Sequence, residues 1–218
     1  MLDSRQTHIL ELGAFVGVLQ HLRVVGFTLM YRHTGRSRSL RIKASSRGDP
    51  WNYSHVRCER QNTVVEVHSN LSVRGAHDLG VYCVDIAITT GDSVPGARPR
   101  DKWSALPNEH LKSFLEVKKL VVYPMLLAQF VGIVHEIRPE FLSSPLPDGF
   151  GVAGIPPPTL AALGALSGNS DVILKGFLLR GFSFWICPTF DIKLSACADW
   201  PDRSPFVSVN ARPTPQLP

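Results

Sequence analysis

Cysteine is scarce in this chain, and none of it is spaced for metal binding. The four cysteines form no CxxC pair and no zinc-ribbon pattern. Cys58, Cys83 and Cys187 lie in apolar, strand-like runs, where free cysteine is usually a small buried hydrophobe, and the fourth is Cys197. We therefore expect a reducing, cytoplasmic setting and no disulfide framework.

Long hydrophobic runs are also missing. The most apolar stretch, Leu120 to Val134, is too short to span a bilayer and contains Pro124, so it is predicted to be a buried helix. No cleavable signal is expected either, because polar residues interrupt the first apolar stretch at Asp3, Glu11 and His21. The sequence predicts no membrane partner.

Several enzyme signatures are absent as well. The chain has no GxSxG nucleophile elbow, no paired Cys and His motif, and no glycine loop of the kind that cradles phosphate. An acyl-transfer or glycosyl-transfer enzyme therefore has no support.

The composition that remains is that of a globular protein with a basic bias. Apolar residues make up 44% of the 218 residues and charged residues 19%, which predicts one domain over residues 1–200 and a loose, proline-rich tail over 201–218. The net charge of +5 comes mainly from 16 arginines against 7 lysines. Because arginine suits bidentate contacts to phosphate, this balance favours an anionic partner.

Hydrophobic periodicity predicts an α/β fold with a mixed central sheet flanked by helices. Helices are predicted over 7–22, from Pro124 to about residue 137, and from Asn169 or Ser170 to Arg180. Strands are predicted over 24–31, 53–59, 63–68, 80–89, 112–120 and 182–187. The proline- and glycine-rich segment 143–158 is expected to be a surface excursion.

Three charged residues emerge from otherwise hydrophobic strands. Glu116 and Lys118 are two residues apart and share a face, and Asp85 is predicted to oppose an apolar face formed by Val84, Ile86 and Ile88. A charge in such a run is costly unless it is paired or bound to metal. Two carboxylates can hold Mg²⁺, and a lysine can position or activate water for phosphodiester hydrolysis and stabilise the developing charge. A neighbouring metal or burial can move the pKa of such a lysine towards this use.

The acidic-x-Lys spacing occurs twice, and the context separates the two copies. Glu116-Val-Lys118 lies on a strand that follows the strand of Asp85 and precedes a helix, whereas Asp191-Ile-Lys193 follows the last predicted strand. The first copy is therefore the better candidate for a site.

Asp85 in VYCVDIAIT, Glu116 and Lys118 in FLEVKKL, and the helix YPMLLAQFVGIVHEI that follows resemble the PD-(D/E)xK nuclease superfamily. That superfamily has a core of a helix, three strands, a helix and a strand, and the resemblance covers residues 7 to 188. It implies a restriction-endonuclease-like sheet, with Asp85 and Glu116 as ligands of Mg²⁺ or Mn²⁺ and Lys118 as the water-activating residue. The proline that often precedes the family's aspartate is replaced here by Val84.

Three further residues are candidates for accessory roles. Glu11 resembles an extra acidic residue that many of these nucleases carry, although an exposed helical glutamate is the simpler interpretation. Glu66 shares a strand face with His68 and either approaches the metal or lies on a solvated face. Gln129 lies in the apolar helix, where a glutamine also occurs in some branches of the family, and the alternative is a buried amide with its hydrogen bonds satisfied.

A basic segment supplies candidates for phosphate contacts: Arg36, Arg38, Arg41, Lys43 and Arg47. The alternative is a solvated loop without a partner. The nearby Trp51 and Tyr53 are able to stack on bases, although aromatic residues in strands are mostly core.

Two functions remain open from the sequence. The first is a metal-dependent endonuclease acting on nucleic acid, DNA more than RNA, with a homodimer favoured if both strands of a duplex are cut. The second is a non-catalytic nucleic-acid-binding or assembly protein on the same fold. If the three charged residues form only a structural ion pair, Lys118 should bond both acids and leave no space for a metal.

Overall fold

The residues that the structure describes form a mixed seven-stranded sheet with helices on both faces. The computed structural model describes residues 4–33, 39–77, 80–99, 103–143 and 154–188. The strands are β1 (Thr28–Arg32), β2 (His55–Arg60), β3 (Thr63–Arg74), β4 (Val81–Thr90), β5 (Leu111–Lys118), β6 (Thr159–Ala162) and β7 (Trp185–Cys187). The helices are α1 (Ser4–Val24), α2 (Pro124–Ile137) and α3 (Ser170–Leu179).

The strands lie in the sheet in chain order, but their directions change after β5. Strands β1 to β5 form an antiparallel meander, whereas β5, β6 and β7 are parallel. Parallel neighbours require a crossover, which α2 provides between β5 and β6 and α3 between β6 and β7. The predicted α/β class and the mixed sheet flanked by helices are confirmed.

Each face of the sheet carries its own apolar cluster. Helix α1 packs Leu10, Phe15 and Leu19 on one face, against strand residues that include Ile86 and Leu115. Helices α2 and α3 cover the other face, where the largest buried side chains are Phe114, Phe130, Phe141 and Phe184. Within the described residues, no helix is long and apolar enough to cross a membrane.

At Asn70 in β3 and Asp85 in β4, the alternation of side chains between the two faces of the sheet is interrupted in both strands. Val84 packs in the α2 cluster whereas Ile86 packs under α1, although residues two apart in a regular strand share a face. The predicted common face of Val84, Ile86 and Ile88 is therefore wrong. Asn70 has a φ of 49°, a left-handed conformation that asparagine tolerates better than most residues. Asp85 consequently lies at the switch point of β4.

Two other expectations need correction. Strand β6 was not predicted, because its four residues follow a proline-rich stretch and lack β-branched residues after Thr159. Strand β3 extends to Arg74, six residues past its predicted end. Residues 34–38, with Arg36 and Arg38, lie outside the described residues, as do Cys197, the Asp191–Lys193 motif and the tail 201–218.

Candidate active site

The structure brings Asp85, Glu116 and Lys118 together. The Lys118 ammonium is 2.7 Å from Glu116 Oε2 and 3.6 Å from Asp85 Oδ2, so the two carboxylates approach a common point. The common point is the lysine nitrogen itself. This is the arrangement that a structural ion pair predicts, and it is also one in which a mobile cationic side chain neutralises two acids.

The site forms where β4 and β5 separate. Their pairing ends at Ile86 and Leu115, and from Leu115 to Lys118 strand β5 pairs with β6. The backbone amide of Val117 donates a hydrogen bond to Asp85 Oδ2 at 2.7 Å. The Asp85 carboxylate thus accepts a hydrogen bond from an amide that has no backbone partner on β4, since the pairing of β4 and β5 has already ended. This hydrogen bond fixes the position of the carboxylate.

Burial controls the electrostatics of this cluster. It raises the pKa of Glu116 to about 7, with a further rise from the Asp85 charge and opposition from Lys118. Burial also raises the pKa of Asp85, against the lowering effects of Lys118 and the Val117 hydrogen bond. Burial alone would lower the pKa of Lys118, but the two carboxylates outweigh it and the pKa is raised. Burial therefore does not lower the pKa of Lys118 in this arrangement, and the residue stays protonated.

Glu11 of α1 lies beside this cluster rather than on an exposed helix face. It is half-buried and accepts a hydrogen bond from Asn70 Nδ2 at 3.2 Å. Burial raises its pKa, and the Asp85 charge adds to the rise. A third carboxylate is therefore within electrostatic range of the first two.

Lys43 does not belong to a phosphate-binding surface. It is 3% exposed, and its ammonium donates hydrogen bonds to the backbone carbonyls of Asn70 and Ser46. Its own carbonyl accepts from Asn70 Nδ2, so the lysine holds its segment against β3. The prediction that Lys43 contacts nucleic acid is wrong, whereas Arg41 and Arg47 are exposed.

Glu66 belongs to a separate buried cluster on β2 and β3. It is 3% exposed, with Oε2 3.4 Å from His68 Nε2 and Oε1 3.7 Å from both His55 Nε2 and Arg57 Nη1. The rings of His55 and His68 stack at 4.7 Å, and Arg57 also pairs with Asp92 at 2.8 Å. The solvated strand face is therefore wrong for Glu66, whereas its approach to a metal beside Asp85 stays a prediction.

This second cluster makes stability depend on pH. Burial lowers the pKa of His55 to about 4, with a further lowering from the His68 charge and opposition from Glu66. Burial alone would raise the pKa of Glu66, but His68 and His55 outweigh it and the pKa is lowered. His55 therefore stays neutral in the folded protein at a pH where the unfolded chain already binds a proton.

We expect His55→Gln to flatten the loss of stability in mild acid. Unfolded His55 takes up its proton near pH 6.5 and folded His55 near pH 4, so its contribution is present above pH 6.5 and is lost as pH falls towards 4. Denaturant unfolding from pH 7.5 to 4.5 should show wild type losing about 2 kcal/mol more than the variant over this window. The rise in the pKa of Glu116 acts in the opposite direction but is common to both proteins, so it cancels in the comparison. If the free energies of unfolding of wild type and His55→Gln change in parallel with pH, the lowered pKa of His55 is contradicted.

The remaining aromatic and amide candidates are placed as follows. Gln129 is exposed on α2, so the buried amide is wrong, and its accessory role stays a prediction. Trp51 and Tyr53 are half-buried at the end of the short helix Pro50–Asn52, ahead of β2 rather than in a strand. Asn70, which bridges Glu11 and the Lys43 carbonyl, was missed, because a single asparagine inside a strand pattern carries no chemical signal.

The donor set suits a hard divalent cation by its chemistry. Asp85, Glu116 and Glu11 offer carboxylate oxygens, the ligands that Mg²⁺ prefers. Among the described residues, however, no group of three or more His, Cys, Asp or Glu side chains is positioned to hold a metal ion. Lys118 would have to leave the carboxylates first, and its 34% exposed side chain has a flexible four-carbon stem that permits this.

No protein-family model, curated protein or solved structure matches this chain.

Proposed function

We propose that this chain is a metal-dependent nuclease that hydrolyses phosphodiester bonds, with DNA favoured over RNA and Mg²⁺ or Mn²⁺ as the cofactor. The observation that carries the proposal is the meeting of Asp85, Glu116 and Lys118 at the separation of β4 and β5. Buried acids cost free energy unless a cation neutralises them, and here they are grouped beside a lysine that can move. The basic net charge of +5 is compatible with an anionic substrate.

Each residue of the site has a distinct role in this proposal. Asp85 and Glu116 would hold the ion, which when bound supplies neutralisation of phosphate charge and a more acidic water. Lys118, once it has left the two carboxylates, would be the water-activating residue. It donates hydrogen bonds to the attacking water and to the phosphate oxygen on which negative charge develops. Glu11 adds negative charge beside the ligands.

A second function is favoured by one specific observation. The Lys118 ammonium contacts both acids, as a structural ion pair requires. On this alternative the chain is a non-catalytic nucleic-acid-binding or assembly protein, and the three residues stabilise the junction of β4 and β5.

The two functions are separated by a cleavage assay. We expect wild type to cut plasmid, single-stranded DNA or RNA in Mg²⁺ or Mn²⁺ and to cut nothing in EDTA. Glu116→Gln should reduce the rate at least about 100-fold, because it removes a charged oxygen from the site. The control is Lys119→Gln, since Lys119 bonds Gln6 rather than the acids. A folded protein that binds nucleic acid but cuts none of the three substrates in either metal would establish the second function. Cutting of both strands of a duplex would favour a homodimer, which sizing of the complex checks.

A further inference from the structure

A cleft between the segment before β2 and the loop after β4 has the chemistry of a nucleotide pocket. It has a volume of about 480 Å³, within the usual range for small-molecule sites. One side is formed by Arg41 and by Asp49, Trp51 and Asn52, and the other by the segment 96–98, which ends in Arg98. The cleft is therefore built from two loops that are far apart in the sequence.

The cleft offers two cations and one flat ring. Within the described ranges, neither the Arg41 nor the Arg98 guanidinium forms an ion pair, so both are available to an anion. The Trp51 indole is half-buried and packs edge-to-face on Trp103 at 5.9 Å, which fixes its orientation. Guanidinium groups bind phosphate, and an aromatic face stacks on any base.

The polar groups of the cleft complete the set. The side-chain amide of Asn52 can donate to and accept from a base edge. The Asp49 carboxylate can accept a hydrogen bond from a base amino group or a sugar hydroxyl, and it leaves the cleft with one excess positive charge. This combination fits a nucleotide better than an inorganic anion, because an inorganic anion would leave the Trp51 ring face unused.

The cleft is linked to the candidate active site by a series of hydrogen bonds. The Arg41 amide donates to Ser54 Oγ at 3.0 Å, and the Arg41 carbonyl accepts from the Ser54 amide at 2.7 Å. Two residues further on, the Lys43 carbonyl accepts from Asn70, which also donates to Glu11. The Arg41 segment is thus connected through Lys43 and Asn70 to Glu11, the carboxylate beside Asp85 and Glu116.

We propose that this cleft holds one unpaired nucleotide of the strand to be cut, with its base on Trp51 and its phosphate between Arg41 and Arg98. The proposal rests on the proposed function, and it deepens it by naming the substrate class. That class is single-stranded nucleic acid, or a duplex with an unpaired nucleotide at the cleavage point. A base held in a duplex cannot reach the indole face.

Binding in EDTA tests the cleft independently of cleavage. Anisotropy with a labelled single-stranded 12-mer and the matching blunt duplex should show the single strand bound at least tenfold more tightly. Trp51→Leu should weaken single-strand binding about 10- to 100-fold, and Trp51→Phe should restore most of it, because stacking contributes about 1–3 kcal/mol per base. Arg98→Gln should lower the slope of log affinity against log salt by about one. Adenosine monophosphate as a competitor distinguishes a free nucleotide from one within a strand, since a strand site should release its oligonucleotide only at far higher nucleotide concentrations.

Matched controls lie outside the cleft. Tyr31→Leu removes an exposed aromatic ring from β1, and Arg180→Gln removes one positive charge from the end of α3. Both should bind the single strand as wild type does. The proposal for the cleft would be overturned by equal affinity for single strand and duplex. It would also be overturned if Trp51→Leu and Arg98→Gln bind the single strand as their controls do. Displacement of the oligonucleotide by equimolar monophosphate would overturn the strand assignment.

The two proposals fail in different ways. If the protein cuts DNA in Mg²⁺ but Trp51→Leu binds the single strand as tightly as wild type, only the proposal for the cleft is refuted. A protein that binds single strands through Trp51 and never cuts would refute the nuclease and leave the cleft as a binding site. If Trp51→Leu does not fold, as circular dichroism would show, Arg98→Gln decides, because its side chain is exposed.

Discussion

Lys118→Ala should abolish cleavage and lower the melting temperature in the absence of divalent ions. The variant leaves Asp85 and Glu116 buried side by side without their cation. We expect a destabilisation of roughly 2 kcal/mol, below the 3–5 kcal/mol typical of a fully buried pair, because Lys118 is one-third exposed. The loss should be greatest above neutral pH, where Glu116 can no longer relieve the repulsion by taking up a proton.

Divalent ions should reverse that loss. With the ammonium removed, the carboxylates are free to hold Mg²⁺, and a ligand at 100 times its dissociation constant stabilises by about 2.7 kcal/mol. Melts of Lys118→Ala with and without Mg²⁺ should therefore differ more than those of wild type, while Lys119→Ala behaves as wild type in both. The opposite result has three parts: wild type never cuts, Lys118→Ala melts at a lower temperature than wild type, and Mg²⁺ or Mn²⁺ does not raise the melting temperature of the variant. Together they would mean that the three residues are a structural ion pair.

Asp85→Asn should lose both cleavage and the response to metal, because it removes a charged oxygen ligand from a hard ion. Its fold should be retained or slightly stabilised. The amide oxygen of the substituted side chain can still accept the Val117 hydrogen bond, and the repulsion that raises the pKa of Glu116 is relieved. Nucleic-acid binding should be unchanged or tighter, since one negative charge near the phosphate is gone.

Asp85→Ala is the matched comparison for that variant. It removes the same charge but also leaves the Val117 amide without its acceptor, at a cost of about 1–3 kcal/mol. Titration of Mg²⁺ followed by melting temperature, beside a cleavage assay, separates the loss of charge from the loss of the hydrogen bond. An Asp85→Asn protein that still cuts at the wild-type rate would remove Asp85 from the site.

Elements with a long, regular hydrophobic pattern were predictable from the sequence. Helix α2 begins at Pro124 as predicted, because proline supplies a helical φ and lacks only an amide that would be unpaired there. Strand β4 was predicted to within one residue at each end. Strand β6 was not, because four residues become a strand through pairing with β5, which no local pattern shows.

The chemistry was less predictable than the elements. Alternation along β4 placed Asp85 on a regular face, but the switch of faces depends on the conformation of Asn70 on the neighbouring strand. Glu66 looked like a residue of a solvated face because its partner His55 comes from another strand. Lys43 looked like part of a basic surface for the same reason, since only the fold shows that its ammonium is directed at backbone carbonyls.

The division of the sheet into a meander and a parallel part bears on the order of folding. Strands β1 to β5 pair with neighbours in sequence, whereas β6 joins β5 only after a crossover that includes α2. Contacts that close a long stretch of chain form later than local hairpins. Since β5 pairs only with β6 from Glu116 to Lys118, the meander can assemble while these residues still lack their neighbour strand. The candidate site should therefore be among the last parts of the protein to form. During folding, strands β1 to β5 should pair before Asp85, Glu116 and Lys118 reach their final arrangement.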